Sequence, residues 1–293
     1  INITKMFKVI LFKQITFYPK FVIKFEKDFA NLIGTKYALS FCNGTSALEA
    51  ILYSIDLKKN DEIIVPSATF HASFSPVFSF GAKPVFVDIN LQNGFIDIKE
   101  IKKKINNNTK AIICVYLFGN AVDNSELFNL CKKYKIKLIE DCSHCHGAKV
   151  NSKIIGSNSD ASFFSLQGSK AVAAGEGGIL CTNDHDIFIK SSAYGHFNRH
   201  SDQFTNISKI KNKKHFGYGK KLRANPLGII LASTDLIFLN IYNKILLKNT
   251  KIITSILERY KFVVLISSEI NAERGGFFLG LPFYINSNLE VNI

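Results

Sequence analysis

No stretch of this sequence reads as the roughly 20 apolar residues expected of a membrane-spanning helix. The best candidate, Leu236 to Leu247, is interrupted by Asn240, Asn243 and Lys244. It reads instead as an amphipathic helix, and no membrane partner is expected. No secretory leader is expected either, because the apolar run Phe7 to Phe12 is too short and Lys8 and Lys13 interrupt and flank it. The six cysteines, at 42, 114, 131, 142, 145 and 181, do not suggest a disulfide framework in a chain of 293 residues. Their mostly apolar surroundings suit reduced thiols packed as small hydrophobes. The cytoplasm is the expected compartment. Because the chain opens on Ile1 and not on Met, its true start is expected to be missing.

Acidic residues are scarce: 23 stand against 37 Lys and Arg, a formal net charge of +14. Such a surplus can draw phosphates, nucleic acid or an anionic membrane. Here the lysines are scattered through Ile101 to Lys104, Cys131 to Lys137 and Lys209 to Lys214, which read as solvated faces in a Lys/Asn/Ile-rich background. A nucleic-acid-binding protein would need a clustered basic helix or interleaved aromatic and basic residues, and neither is seen. Two phosphate motifs are also absent. Gly168-Ser169-Lys170 is in the wrong order for a Walker A loop, and Gly175 to Leu180 lacks the third glycine of G-x-G-x-x-G. Cys142, His144, Cys145 and His146 lie close together, but no second Cys/His pair with zinc spacing follows them. The C-x-x-C spacing of Cys142 and Cys145 lacks the usual redox flanks. No metal is expected.

What the sequence does contain is an α/β pattern. Apolar residues make up 47% and charged residues 20%, too apolar for a disordered chain, and the length allows one large domain or two moderate ones. Short apolar strands are expected at Tyr37 to Cys42, Glu62 to Pro66, Pro84 to Val87, Ala111 to Tyr116, Ile136 to Glu140, Ser162 to Ser165 and Gly178 to Cys181. Helical spacing marks Thr45 to Ile55 and Ser125 to Tyr134. Near-continuous apolar strands imply a mostly parallel sheet covered on both faces, and such sheets bind ligands beyond the strands' carboxyl ends.

Four of those ends carry chemistry. Asn43-Gly44-Thr45-Ser46 leads a strand into a helix N-terminus, where a phosphate would sit well, although Thr45 or Ser46 could equally be a plain N-cap. Phe70 in Ser67-Ala68-Thr69-Phe70-His71 can lie flat on a ring or belong to the core. In Glu140-Asp141-Cys142-Ser143-His144, Asp141 can meet a cationic ring nitrogen. Finally, Ser165-Leu166-Gln167-Gly168-Ser169-Lys170 places one lysine between an apolar strand and a glycine-rich loop, an environment that desolvates an amine.

Taken together, in order and spacing, these motifs resemble the DegT/DnrJ/EryC1/StrS family of pyridoxal-phosphate (PLP)-dependent sugar aminotransferases, over about residues 24 to 232. The resemblance implies the type I PLP aminotransferase fold, with a large domain around a seven-stranded, mostly parallel sheet and a smaller C-terminal domain. Residues 1–232 are expected to be the large domain, its first 20 or so residues being unassigned, and 233–293 a short C-terminal domain. The resemblance makes Lys170 the Schiff-base lysine and Asp141 the partner of the pyridinium nitrogen. It places His144 near the ring hydroxyl, Phe70 on the ring, and Gly44, Thr45, Ser46 and Ser165 around the phosphate, with Gln167 at a variable position close by. It further implies a homodimer with shared sites, glutamate as amino donor and a nucleotide-linked keto-sugar as acceptor, for surface polysaccharides, glycolipids or antibiotics.

Two departures from the family pattern stand out. Where many members carry Gly-Tyr-Asn-Tyr-Arg, this chain reads Gly217-Tyr218-Gly219-Lys220-Lys221-Leu222-Arg223. Lys221 can serve the partner subunit's phosphate as a point charge, or be an ordinary surface lysine. Only some 46 residues follow Leu247, fewer than the family's small domain occupies, so the chain is a fragment or that domain is degenerate. Other readings stay open: a sugar deoxygenase, disfavoured because that branch replaces the lysine that this chain keeps, a PLP-binding homologue that is inactive or regulatory, and a basic nucleic-acid-binding protein.

Overall fold

Residues 4, 19–196, 199, 220–267, 271–275 and 280–286 are described by a computed structural model. Phe7 to Phe12, Lys209 to Lys214 and Gly217 to Gly219 lie outside them. In chain order the strands are β1 (Tyr37–Phe41), β2 (Glu62–Pro66), β3 (Lys83–Val87), β4 (Thr109–Val115), β5 (Lys137–Asp141), β6 (Lys149–Val150), β7 (Lys153–Ile154), β8 (Ala161–Ser165), β9 (Gly178–Thr182), β10 (Val263–Leu265), β11 (Ala272–Glu273) and β12 (Phe283–Ile285). Seven form one sheet in the order β1-β9-β8-β5-β4-β2-β3. Only β9 runs against the other six. All seven expected strands are there, with ends moved by no more than two residues, so that β5 closes on Asp141 and not on Glu140.

The helices are α1 (Lys20–Ile33), α2 (Gly44–Ser54), α3 (Ser75–Phe78), α4 (Ile98–Lys104), α5 (Ser125–Tyr134), α6 (His185–Gly195) and α7 (Pro226–Leu257). Because side chains alternate across a strand, each central strand feeds two cores. Ile112, Cys114 and Leu138 join Phe25 and Phe29 of α1 and Ile229 of α7 on one face. On the other, Ile113, Val115 and Ile139 join Leu48 and Ile51 of α2 and Ile187 of α6. Helix α1 is also tied down electrostatically: buried Glu26 accepts Ser40 N–H at 2.8 Å, Ser40 Oγ at 2.7 Å and Arg199 Nη1 at 2.9 Å. All six cysteines are free thiols, five of them buried.

One sequence expectation changes. The segment Leu236 to Leu247 belongs to a 32-residue helix that runs through residue 232 without a break. By length and composition this helix is long and apolar enough to cross a membrane, and 28% of its most apolar 18-residue window is buried. It is not amphipathic in the expected way. Asn243, read as a polar-face marker, is buried and donates to the His146 carbonyl at 2.9 Å, whereas Ile237, Phe238, Ile241 and Ile245 are exposed. Beyond α7, β10 pairs with β12, and β11 returns to pair with β6.

His146 illustrates what a buried imidazole does to stability. Its ring lies 6.4 Å from Phe29 and 5.4 Å from Phe164, centroid to centroid, and neither ring nitrogen has a well-formed hydrogen bond among the described residues. Burial, helped by the Lys170 charge, pushes its pKa down to about 3. Between pH 6.5 and about 3 the unfolded chain therefore holds a proton that the folded chain refuses, so stability falls with acidification by up to about 1.4 kcal/mol per pH unit. Urea unfolding of wild type and His146→Phe across that window should show a shallower acid slope in the variant. Equal slopes would contradict the assignment.

Candidate active site

The six strands that share a direction end on one edge of the sheet, and the ends and following loops of β1, β2, β4, β5 and β8 line a cavity of about 440 Å³. Most of the expected residues line it, and local structure explains how each arrives there. At the end of β1, Asn43 is the N-cap of α2, its Oδ1 accepting the Ser46 N–H at 2.8 Å. The capping residue is thus Asn43 and not Thr45 or Ser46. Gly44 and Thr45 stand at the cavity wall with backbone N–H groups of the kind a helix start leaves unpaired. Gly178 permits this seating: a Cβ there would lie 2.3 Å from the Asn43 carbonyl. A Cβ on Gly44 would come within 3.3 Å of Ser165 Cα, so the turn and the end of β8 meet closely.

The loop after β2 carries Phe70 into the lining with 62% of its surface exposed, its ring centroid 4.2 Å from that of His71. From β5 come Asp141 and, just beyond, His144. Asp141 is 5% exposed, and Oδ1 accepts the Ser143 N–H at 3.0 Å while Oδ2 accepts Ser73 Oγ at 2.6 Å. Burial raises its pKa, and the donors from Ser143 and Ser73 and the charge of Lys170 oppose that rise. His144 Nδ1 accepts the Phe118 N–H at 3.3 Å, so the neutral ring carries its proton on Nε2. Burial first, and then the Lys170 charge, bring its pKa down to about 3. Phe118 holds a left-handed φ of 56°, and its carbonyl takes Arg274 Nη2 at 2.6 Å.

After β8 come Ser165, Gln167 and Lys170, all three in the lining. Gln167 Oε1 accepts Ser169 N–H at 2.9 Å and Ser169 Oγ at 2.6 Å, which shapes the turn into Lys170. Desolvation draws the Lys170 amine below the usual lysine range, against the raising effect of Asp141. Two expected residues are not in the lining. Ser46 turns its hydroxyl to Cys42 Sγ at 3.3 Å, and Lys221 is exposed, in an isolated antiparallel bridge with His196. The structure also adds Asn43, Ser73, Ser143 and Glu176 to the wall, which sequence reading left out. Among the described residues, no three His, Cys, Asp or Glu side chains are grouped to hold a metal ion. The set suits a ligand with an aldehyde for the amine, a cationic ring for Asp141, and an anionic group for the start of α2.

The profile of the DegT/DnrJ/EryC1/StrS aminotransferase family matches residues 2–278. The chain belongs to this family. It is similar to the GDP-perosamine synthase of Vibrio cholerae, 38% identical over 170 residues, or 58% of this chain and 46% of the relative. It is also similar to the dTDP-3-amino-3,6-dideoxy-alpha-D-galactopyranose transaminase of Aneurinibacillus thermoaerophilus, 37% identical over 212 residues, 72% of this chain and 57% of the relative. It thus spans about half the length of these relatives. Among solved structures, 3-amino-5-hydroxybenzoic acid synthase superposes with a TM-score of 0.78 at 26% identity, covering 87% of this chain and 65% of the other. An E. coli GDP-4-keto-6-deoxy-D-mannose-3-dehydratase with bound hydrated PLP gives 0.82 at 25%, covering 92% and 72%. The type I PLP aminotransferase fold of the family is therefore the fold of this DegT/DnrJ/EryC1/StrS chain.

The shifted amine is directly measurable. In pH-dependent competitive acetylation, the Lys170 midpoint should lie below that of a lysine in an unstructured reference peptide, and Asp141→Asn should lower it further because the raising charge is gone. A Lys170 midpoint equal to that of the reference peptide would show that the amine is not desolvated.

Proposed function

We propose that the protein to which this chain belongs is a PLP-dependent aminotransferase that moves an amino group from glutamate to a keto group on a nucleotide-linked sugar. The observation that carries this reading is the pairing of a desolvated lysine, Lys170, with a buried carboxylate, Asp141, in one cavity at the carboxyl edge of the sheet. Pyridoxal 5′-phosphate, when bound, supplies an aldehyde that condenses with amines and a protonated ring that takes up the electron pair left when a proton leaves carbon.

Around that group each residue has a separate task. Lys170 offers an amine that is more often unprotonated than a surface lysine, so it can act as nucleophile and, once displaced, can take and return a proton. Asp141 favours a protonated ring nitrogen, and it stays useful only while it is itself a carboxylate. The neutral His144 presents an Nε2–H donor and no positive charge of its own. Phe70 offers its exposed face to a ring, while Gly44, Thr45 and Ser165 converge where a phosphate would meet the start of α2. Gln167 is proposed to contact the ligand from the opposite lip.

Two further elements complete the proposal. A homodimer with shared sites, in which exposed Lys221 reaches the partner's phosphate, rests on the family, and a cytoplasmic location rests on the cysteine pattern of the sequence. The division at residue 232 is proposed on sequence pattern, and α7 would link the two parts. Support for a sugar substrate comes from the relatives, whose names are those of amino-sugar synthases and transaminases.

Purified protein supplied with PLP should be yellow, and the visible band should decline when glutamate is added. Lys170→Ala should retain its circular dichroism and lose glutamate-dependent bleaching by about 10²–10⁴ in rate. Asp141→Asn should still bind PLP yet fail to bleach at the normal rate. Unchanged bleaching in either variant would refute the assigned roles.

A further inference from the structure

Asp141 is anchored from two directions, and one anchor comes from far away in the sequence. Ser143 is its near neighbour, but Ser73, whose Oγ lies 2.6 Å from Asp141 Oδ2, is 68 residues upstream. Ser73 is 2% exposed and closes the short 3-10 turn His71–Ser73 beyond β2. Thr69 Oγ1, from the same loop, donates to Ser73 Oγ at 2.9 Å. A hydroxyl has a single proton to give. With Thr69 donating to the Ser73 oxygen, the Ser73 proton is directed at Asp141, and the chain of donors runs one way, ending on an acceptor.

We propose that Ser73 is a positioning residue for the reaction: oriented by Thr69, its hydroxyl holds Asp141 as the fixed, anionic acceptor that a protonated ring nitrogen requires. This inference rests on the function proposed above. Burial alone favours the neutral acid, which would donate and not accept toward the ring, so a buried carboxylate in this role needs donors of its own. The spacing Thr69-Phe70-x-x-Ser73 puts three tasks on one short loop. Phe70 meets the ring face, Ser73 holds the carboxylate that meets the ring nitrogen, and Thr69 sets the Ser73 rotor. Ring and carboxylate are thereby held in register by the same turn.

A cofactor analogue separates this role from simple packing. The apoprotein's affinity for PLP is compared with its affinity for 1-deazapyridoxal 5′-phosphate, which has carbon in place of the ring nitrogen and so gains nothing from Asp141. Wild type should prefer PLP. Ser73→Ala should reduce that preference about tenfold to a hundredfold while leaving the analogue's affinity unchanged, the loss expected for a hydrogen bond to a charged group. Ser73→Thr should restore it. Thr69→Val, at a half-buried position that should tolerate the change, should reduce the preference by a smaller factor. In an Asp141→Asn background, Ser73→Ala should have no further effect on the preference. Equal losses for both ligands would mean that Ser73 serves packing only, and an unchanged preference in both Ser73→Ala and Thr69→Val would overturn the inference. If wild type binds neither ligand, the proposed function itself falls and takes this inference with it.

Discussion

A half-buried amine and a buried carboxylate in the wall of one cavity are the constraint on which the rest of this structure turns. Burial pushes each toward its neutral form, Lys170 downward and Asp141 upward, while each one's charge works against the other's shift. Such a pair is useful only when the balance is held by fixed dipoles, because loose water would screen it and a dry, donor-free wall would neutralise it. Here the fixed dipoles are few and identifiable: the Ser143 N–H and the Ser73 hydroxyl on Asp141, and the Phe118 N–H on His144.

The sheet explains how residues more than a hundred positions apart come to share this cleft. Six strands point the same way, so their carboxyl ends lie along one edge, and the loops from β1, β2, β5 and β8 open there side by side. The short β-to-α connections do the rest. Asn43 caps α2 and aims its start at the cavity, and side-chain-free Gly44 and Gly178 let the turn sit against the ends of β8 and β9. A rigid edge with short loops suits a reaction in which a proton must move between defined atoms.

Much of this was legible in the sequence, for physical reasons. Strands buried on both faces are written as continuous apolar runs, and ligand-bearing loops follow them, so Asp141, Lys170, Phe70 and Thr45 could be named from pattern. What could not be read was pairing across distance. Ser73 looks like one more serine near a helix start until β2 and β5 are brought into the same sheet, and Asn43 as the cap depends on a backbone angle and not on residue type alone. The motif puts Ser46 with the ligand, yet the cap takes its N–H and its hydroxyl turns to Cys42. The length of α7 is hidden in the sequence because Asn243 and Lys244 look like interruptions, whereas Asn243 is buried against a backbone carbonyl that only the tertiary fold supplies.

The central claim is that one particular lysine, out of many in a basic chain, has the environment of a cofactor-bearing amine. Borohydride reduction of the protein after incubation with PLP, followed by peptide mass spectrometry, tests it most directly. A single modified peptide carrying the cofactor mass on Lys170 is expected. Label spread over surface lysines, or concentrated on another residue, would contradict it.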